Sequence, residues 1–441
     1  MTRARTVLLP PALAVLFAGL LCAVALLISG DNPFTALAVM ITQVGEGTTA
    51  VDIVNSAAVY YLAALAVAIG FQMKLFNIGI EGQYRLAACV AAIVGGAVAL
   101  LISGDNPFTA LAVMITQVGE GTTAVDIVNS AAVYYLAALA VAIGFQMKLF
   151  NIGIEGQYRL AACVAAIVGG AVVLPPVVHT VVILVVAAVT GAAWAGIAAL
   201  LKAYRGVSEV ISTIMLNFVA TGLIAFLIST DSFGVLRGNN ISTQPIAESG
   251  QVPGIPLGSS GTLFGLIFLS AALGVGYWFL LERTRFGFDL KASGESPTAA
   301  AAGGVNARRM VIIALLMSGA VAGLVGLPEL LGRDLAYTLN SPTGYGFTGI
   351  AIALLGRNHP VGIALGALLW AFLDKSALAL DNVGVAREIV LIMQGSIVLS
   401  VVVAYEIVRR YELAAEQRRV AAQLRARAGE PAEVGSTGGA S

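Results

Sequence analysis

Continuous apolar runs of about 20 residues recur along this 441-residue chain, and about 20 residues is what an α-helix needs to cross the hydrocarbon core of a membrane. In that solvent every backbone N–H and C=O must be satisfied within the protein, which leaves helices and closed barrels. A barrel would show short segments of alternating polarity. The runs here are unbroken, so the expected fold class is all-α, a polytopic transmembrane helix bundle. Composition agrees: 59% of residues are hydrophobic and 11% charged, against about 45–50% and about 25% in soluble domains. Many of the 50 glycines lie inside apolar runs, where small residues let helices approach closely. Cys22, Cys89 and Cys163 also lie in such runs, with no CxxC pattern, and read as small core residues. Arg3 and Arg5 followed by an apolar run to Ser29 have the look of a signal peptide, but the run is long enough to span and is expected to be a retained first helix.

An internal repeat reshapes the count of spans. Residues 23–98 are identical to residues 97–172, an offset of 74, without one substitution. Structural repeats diverge because each copy packs in its own surroundings. Perfect identity therefore points to a recent in-frame tandem duplication or to an error of sequence assembly. Each copy carries two spans, 55–75 and 82–102 in the first, 129–149 and 156–174 in the second. Two is an even number, so the insertion leaves every downstream helix in its original orientation. Copy two runs straight into the next span through Pro175 and Pro176. The expectation is that residues 129–174 join the core and that the hairpin 55–102 lies at the periphery.

The remaining spans are expected at 7–29, 180–201, 208–229, 262–281, 310–331, 361–374 and 388–408, with 345–356 as a short crossing that ends at Gly356-Arg357-Asn358-His359-Pro360. The total is about 12, or about 10 without the duplicated hairpin. With the N-terminus in the cytoplasm, only Arg237, Arg333, Lys375 and Arg387 of the 24 Lys and Arg residues fall outside, a strong bias in the sense of the positive-inside rule. Both termini are then cytoplasmic. Residues 1–408 form the membrane domain, 282–309 the largest cytoplasmic loop, and 409–441 a charged tail that fades into a partly disordered Gly/Ser/Pro-containing end.

Chemistry-bearing motifs are few. There is no GxxxxGK[ST] phosphate loop, HExxH, GxSxG or His/Cys cluster, so no catalytic residue, metal site or cofactor is expected, and nothing suggests nucleic acid. The segment FNIGIEGQ, at Phe76–Gln83 and again at Phe150–Gln157, stands out. Asn77, Glu81 and Gln83, and in the copy Asn151, Glu155 and Gln157, sit beside glycines between two apolar runs. They either line a cavity within the membrane or form a cytoplasmic turn whose glutamate favours a helix N-terminus. In SEVISTIMLNFVATGL, Ser212, Thr213 and Asn217 enter a span, as path-lining groups or as helix–helix glue. The carboxylates cluster at loops, which argues against an ion-coupled transporter. In the loop 282–309 a short Ala-rich helix from Pro297, capped by Ser296, offers a compact knob for a cytoplasmic partner; the plainer reading is an ordinary basic loop.

FNIGIEGQ, SEVISTIMLNF, ERTRFGFDLKASGESPTAAAAGGVNARRMVIIALLMSGAVAGLVGLPELLG and GFTGIAIALLGRNHPVG together resemble the bacterial ABC importer permeases of the branched-chain amino acid, sugar and nucleoside group, over about residues 50–408. The resemblance is strongest to the larger permease subunit of nucleoside importers. It implies a translocation path for nucleosides, driven by a separate ATPase subunit. It also implies a second permease subunit, an extracytoplasmic substrate-binding lipoprotein and a place in the lipid of the bacterial inner membrane. It makes Ala292, Gly294, Glu295, Ala299, Ala300 and Gly303 the segment that couples to the ATPase. Ser296 and an all-Ala run stand where family members commonly carry Asn and an Arg-Tyr pair, and the family has one FNIGIEGQ-like segment. A permease for a simple sugar such as ribose, or an ion-coupled secondary transporter, are the rival functions.

Overall fold

A computed structural model describes residues 32–43, 49–72, 107–238 and 240–382, scattered positions between 16 and 27, and Gln394. The spans expected at 82–102 and 388–408, Cys89 and the tail 409–441 lie outside the described residues. The chain divides into two compact units, residues 1–105 and 106–441.

The first unit contains α1 (Pro33–Gln43) and α2 (Thr49–Gln72). The second begins with α3 (Pro107–Thr116) and α4 (Thr123–Gln146). The limits of α2 and α4 differ by the repeat offset of 74, so identical sequence yields the same 24-residue helix twice. Burial is another matter. Val51, Val54 and Tyr60 of α2 are exposed, whereas their equivalents around Val125 and Tyr134 in α4 lie in the core. Asn129 shows the same contrast with the exposed Asn55. In α4 its amide donates to the Thr262 carbonyl at 3.0 Å and accepts from the Phe264 N–H at 2.8 Å.

Beyond α4 come α5 (Ile154–Ala171), α6 (Pro176–Arg205), α7 (Glu209–Leu227), α8 (Ile267–Arg283), α9 (Arg285–Glu295), α10 (Pro297–Ala302), α11 (Ala307–Gly323), α12 (Tyr345–Leu355) and α13 (Pro360–Asn382). Local chemistry sets their ends. Pro176 opens α6 where its missing N–H costs nothing, and Gly206, at φ 68°, closes it in the left-handed region. The Ser296 hydroxyl accepts from Ala299 N–H at the start of α10, as its position before Pro297 predicts. Five helices among the described residues are long and apolar enough to cross a membrane: Thr123–Gln146, Pro176–Arg205, Glu209–Leu227, Ala307–Asp334 and Pro360–Ala377. The fourth includes a break after α11, where Pro328 and a π-helical turn over Leu330–Asp334 interrupt the regular helix.

In α4, 89% of the apolar stretch is buried, against 28% to 56% in the other four. A helix apolar all round belongs at the centre, and α4 packs against α8, α11, α12 and α13. The tightest pairing is α6 with α11. A Cβ on Gly191, Gly319 or Gly323 would collide with backbone of the facing helix, the close approach that Gly-xxx-Gly and small-xxx-small spacings allow. One feature departs from a purely all-α fold. Between α7 and α8 the chain forms the antiparallel pair β1 (Gly234–Arg237) and β2 (Asn240–Thr243), then a two-residue pairing of 255–256 with 262–263. This connection docks on the break after α11: Ile246 N–H donates to Leu335 O at 2.8 Å and Val252 N–H to Leu331 O at 3.1 Å.

Gly191→Ala is expected to lower thermal stability of the purified protein in detergent, since the new methyl meets backbone that cannot yield; overpacking of this kind costs about 1–3 kcal/mol. Gly222→Ala, with no atom within 4 Å of the new Cβ, is expected to leave the unfolding midpoint unchanged. Equal midpoints for both variants would show that the α6–α11 contact does not hold the bundle.

Candidate functional site

The repeat motif of copy two meets the unique helices at a buried polar cluster. Asn151 and Gln157 exchange side-chain amide hydrogen bonds: Asn151 Nδ2 donates to Gln157 Oε1 at 3.0 Å, and Gln157 Nε2 donates to Asn151 Oδ1 at 2.9 Å. Asn151 Nδ2 also donates to Ser318 Oγ on α11 at 2.9 Å, and Asn151 Oδ1 accepts from Gly153 N–H. The Ser318 hydroxyl donates in turn to the Ala140 carbonyl of α4 at 2.6 Å. Asn217 of α7 bonds only backbone here: it accepts from Gly156 N–H at 2.8 Å and donates to Ile152 O at 3.0 Å.

Glycine is needed in this segment for space rather than for unusual dihedral angles. Gly153 has φ −75°, open to any residue. A Cβ on Gly156, however, would sit 2.8 Å from Asn217 Oδ1 and 3.0 Å from its Cα, and one on Gly153 would sit 2.9 Å from Thr213 Cβ.

Glu155 lies in the first turn of α5, yet its carboxylate serves the N-terminus of α12. Oε1 accepts from Gly344 N–H at 2.8 Å and from the Tyr158 hydroxyl at 3.0 Å, and Oε2 accepts from Gly346 N–H at 3.0 Å. These are the free amide donors at the start of a helix, where the dipole also favours a negative charge. Gly344 takes φ 95°, and a Cβ on Gly346 would lie 2.9 Å from Glu155 Cα. The sequence reading places this glutamate at the start of its own helix; its carboxylate instead bonds the start of a helix 189 residues away. Ser212 and Thr213 are buried and spend their hydroxyls on their own helix, at Ser208 O and Glu209 O. Asn151, Glu155, Gln157 and Asn217 are thus brought together, Thr213 packs beside them, and Ser212 stands apart. Asn77, Glu81 and Gln83 lie outside the described residues.

The expectation that carboxylates stay at loops needs correction. Glu155, Glu329 and Asp374 lie within helical segments and are linked by tyrosines. Tyr345 stacks on Tyr158 and meets Tyr134 edge-on, each with centroids 5.6 Å apart. Its hydroxyl donates to Glu329 at 2.6 Å, and the Tyr134 hydroxyl donates to Asp374 at 3.1 Å. Arg333 approaches Glu329 at 3.5 Å. Sequence reasoning missed this group because its members come from five separate segments. The one local signal was Tyr158, three residues after Glu155.

The coupling candidates occupy one helix–turn–helix. Ala292, Gly294 and Glu295 lie on α9, Ala299 and Ala300 on α10, and Gly303 at its end. Ala300 is buried, while Ala299, Glu295 and Gly303 are exposed.

The family described as branched-chain amino acid transport system, permease component, matches residues 123–402. The chain belongs to this permease family. A guanosine ABC transporter permease of Bacillus subtilis is 34% identical over 73% of this chain and 93% of its own length. A glucose ABC transporter permease of Haloferax volcanii is 32% identical, over 74% and 87%, and a nucleoside ABC transporter permease of Lactococcus lactis is 30% identical, over 73% and 90%. No solved structure gives a significant match. The family and the apolar helices make the chain a multi-pass integral protein of the bacterial inner membrane, and the names of its relatives indicate transport rather than catalysis.

In this permease the polar cluster is closely packed. An apolar cavity of about 600 Å³ lies elsewhere, between α4, α8 and α13, beside Tyr135, Trp278 and Leu368. A polar one of about 480 Å³ lies at the β1–β2 end, beside Arg237, Asn240, Ser242, Arg333 and Thr338.

Glu155→Ala is expected to destabilise the permease by about 3 kcal/mol, because a buried and a part-buried N–H and a hydroxyl lose their acceptor, and to abolish uptake. Glu155→Gln keeps one acceptor oxygen and is expected to fall between. Glu81→Ala, in the other copy, is expected to change neither. Loss of uptake with Glu81→Ala and not with Glu155→Ala would reverse the assignment of the two copies.

Proposed function

We propose that the chain is the permease subunit of an ABC importer and forms the translocation path for nucleosides, driven by a separate ATPase subunit. The observation that carries this reading is the near full-length likeness to permeases named for guanosine and for nucleosides, at 34% and 30% identity. A sugar such as ribose is the second reading, favoured by the glucose permease at 32%. The buried carboxylates alone would suit an ion-coupled transporter, but the family match weighs against one. Uptake of labelled guanosine and uridine, competed by ribose and glucose, separates the first two. Uptake blocked by unlabelled nucleosides and not by sugars is the expected result, and the reverse would hand the path to sugars.

The partners on this reading are a second permease subunit, a cytoplasmic ATPase and an extracytoplasmic binding lipoprotein. About 12 crossings with both termini cytoplasmic complete it. One end of the bundle supports that orientation: it gathers Lys148, Lys202, Arg205, Arg283, Arg285, Lys291, Arg308, Arg309 and Arg357, the pattern of a cytoplasmic face. At this end residues 282–309 form the ATPase-docking segment, with α10 as its knob. The path candidates Asn151, Glu155, Gln157, Ser212, Thr213 and Asn217 act on this reading by shaping the bundle around the path.

Deletion of Ala299–Ala302 is expected to abolish uptake while membrane insertion survives. Normal uptake with the deletion would remove the docking role. The purified chain alone is expected to hydrolyse no ATP, since it lacks a phosphate loop. Hydrolysis that follows this chain after every partner is removed would refute that.

A further inference from the structure

We infer that Gly294 and the Lys148–Glu295 pair act as positioning residues that transmit movement of the docking segment into the buried amide cluster, through the turn that ends α4. The inference rests on the reading of residues 282–309 as the ATPase-docking segment.

The turn is well defined. Leu149 N–H donates to Gly144 O at 3.0 Å and Lys148 N–H to Phe145 O at 2.9 Å, with Lys148 at φ 55°. This is the pair of bonds that closes a helix when the next residue is left-handed, a place glycine usually takes. Lysine there costs about 1 kcal/mol relative to glycine. The side chain it brings forms a 2.7 Å ion pair with Glu295 on α9. Both side chains are more than half exposed, at 59% and 75%, so the pair adds little stability. What it does is hold α9 in register with the turn.

The contact beneath the pair is stiffer. A Cβ on Gly294 would lie 2.7 Å from Met147 Cα, 2.8 Å from Gln146 O and 2.9 Å from Met147 C. All three are backbone atoms. Docking segment and turn therefore meet backbone on backbone, with no flexible side chain between them to absorb a displacement.

Two connections leave this turn. Along the chain, two residues separate Lys148 from Asn151, whose amide joins α5 and α11 through Gln157 and Ser318. Across the bundle, Gln146 Nε2 donates to the Tyr277 hydroxyl at 3.0 Å, and that hydroxyl donates to Asn358 O at 2.7 Å, in the turn between α12 and α13. The other end of α12 is held by Glu155. Both ends of this short helix are thus tied to residues 146–155, and these in turn rest on Gly294. A shift of α9 has a continuous packed route to α12.

The test is uptake and ATP hydrolysis measured together in proteoliposomes holding the whole complex, with labelled guanosine as the probe. With Gly294→Ala, ATP hydrolysis is expected to persist while uptake per ATP falls about tenfold. Lys148→Glu, which touches only an exposed pair, is expected to lower the same ratio, and adding Glu295→Lys to it is expected to restore it. Uptake per ATP unchanged by Gly294→Ala overturns the inference. So does failure of the charge exchange to restore the ratio, or loss of complex assembly with Gly294→Ala while Lys148→Glu is silent, which would make Gly294 a docking residue only. Deleting Ala299–Ala302 in the same assay tests the underlying reading separately. If the deletion abolishes uptake and Gly294→Ala is silent, the transmission fails and the docking reading stands. If the deletion is silent, the docking reading itself fails.

Discussion

An N–H or C=O group inside a helix bundle has no water to bond, so irregular backbone there must be satisfied by side chains or by other backbone. Among the described residues of the second unit, three such stretches are met by a polar residue of the duplicated sequence or by Asn217. Residues 151–156 between α4 and α5 are bonded by Asn151 itself and by Asn217. Residues 344–346 at the start of α12 are bonded by Glu155. The loop at 262–264 is bonded by Asn129. The polar groups in this apolar chain are therefore concentrated where helices break, and the breaks place α12 against α4 and α5.

The duplication separates what local sequence decides from what packing decides. The helix limits are local, since Thr49–Gln72 and Thr123–Gln146 agree residue for residue. The core is not. Asn129 and Tyr134 find partners at Thr262, Phe264 and Asp374, all beyond the repeat, whereas Asn55 and Tyr60 lie exposed. Direct continuity of copy two with α6 made its place in the core legible beforehand, as were the presence of most helices and the Ser296 cap, while several helix ends lie four to eight residues from where the apolar runs put them. The acceptor role of Glu155 was not legible, because its partners Gly344 and Gly346 lie far along the chain and offer only backbone. The Tyr134–Tyr158–Tyr345 group was hidden for the same reason. The strands 234–237 and 240–243 were hidden because they are short and lie between the spans expected at 208–229 and 262–281.

The geometry bears on transport through α12. It is 11 residues long, too short to cross alone, and is clamped at both ends by groups from the α4–α5 segment. A short helix held in this way moves as a rigid piece when its clamps move. Glu155 at one end and the Gln146–Tyr277–Asn358 chain at the other make residues 146–155 the frame of that piece. A substrate-lining surface need not contain these residues for them to govern its shape.

Hydrogen exchange on the full chain in lipid nanodiscs tests most directly whether Glu155 satisfies the broken helix. The Gly344 and Gly346 amides are predicted to be protected in the unaltered protein. In Glu155→Ala they are predicted to exchange at least about tenfold faster, the factor that corresponds to 1.4 kcal/mol, while the amides of α6 and α11 keep their protection. Fast exchange at 344–346 in the unaltered protein, or protection there that survives Glu155→Ala, would contradict the account.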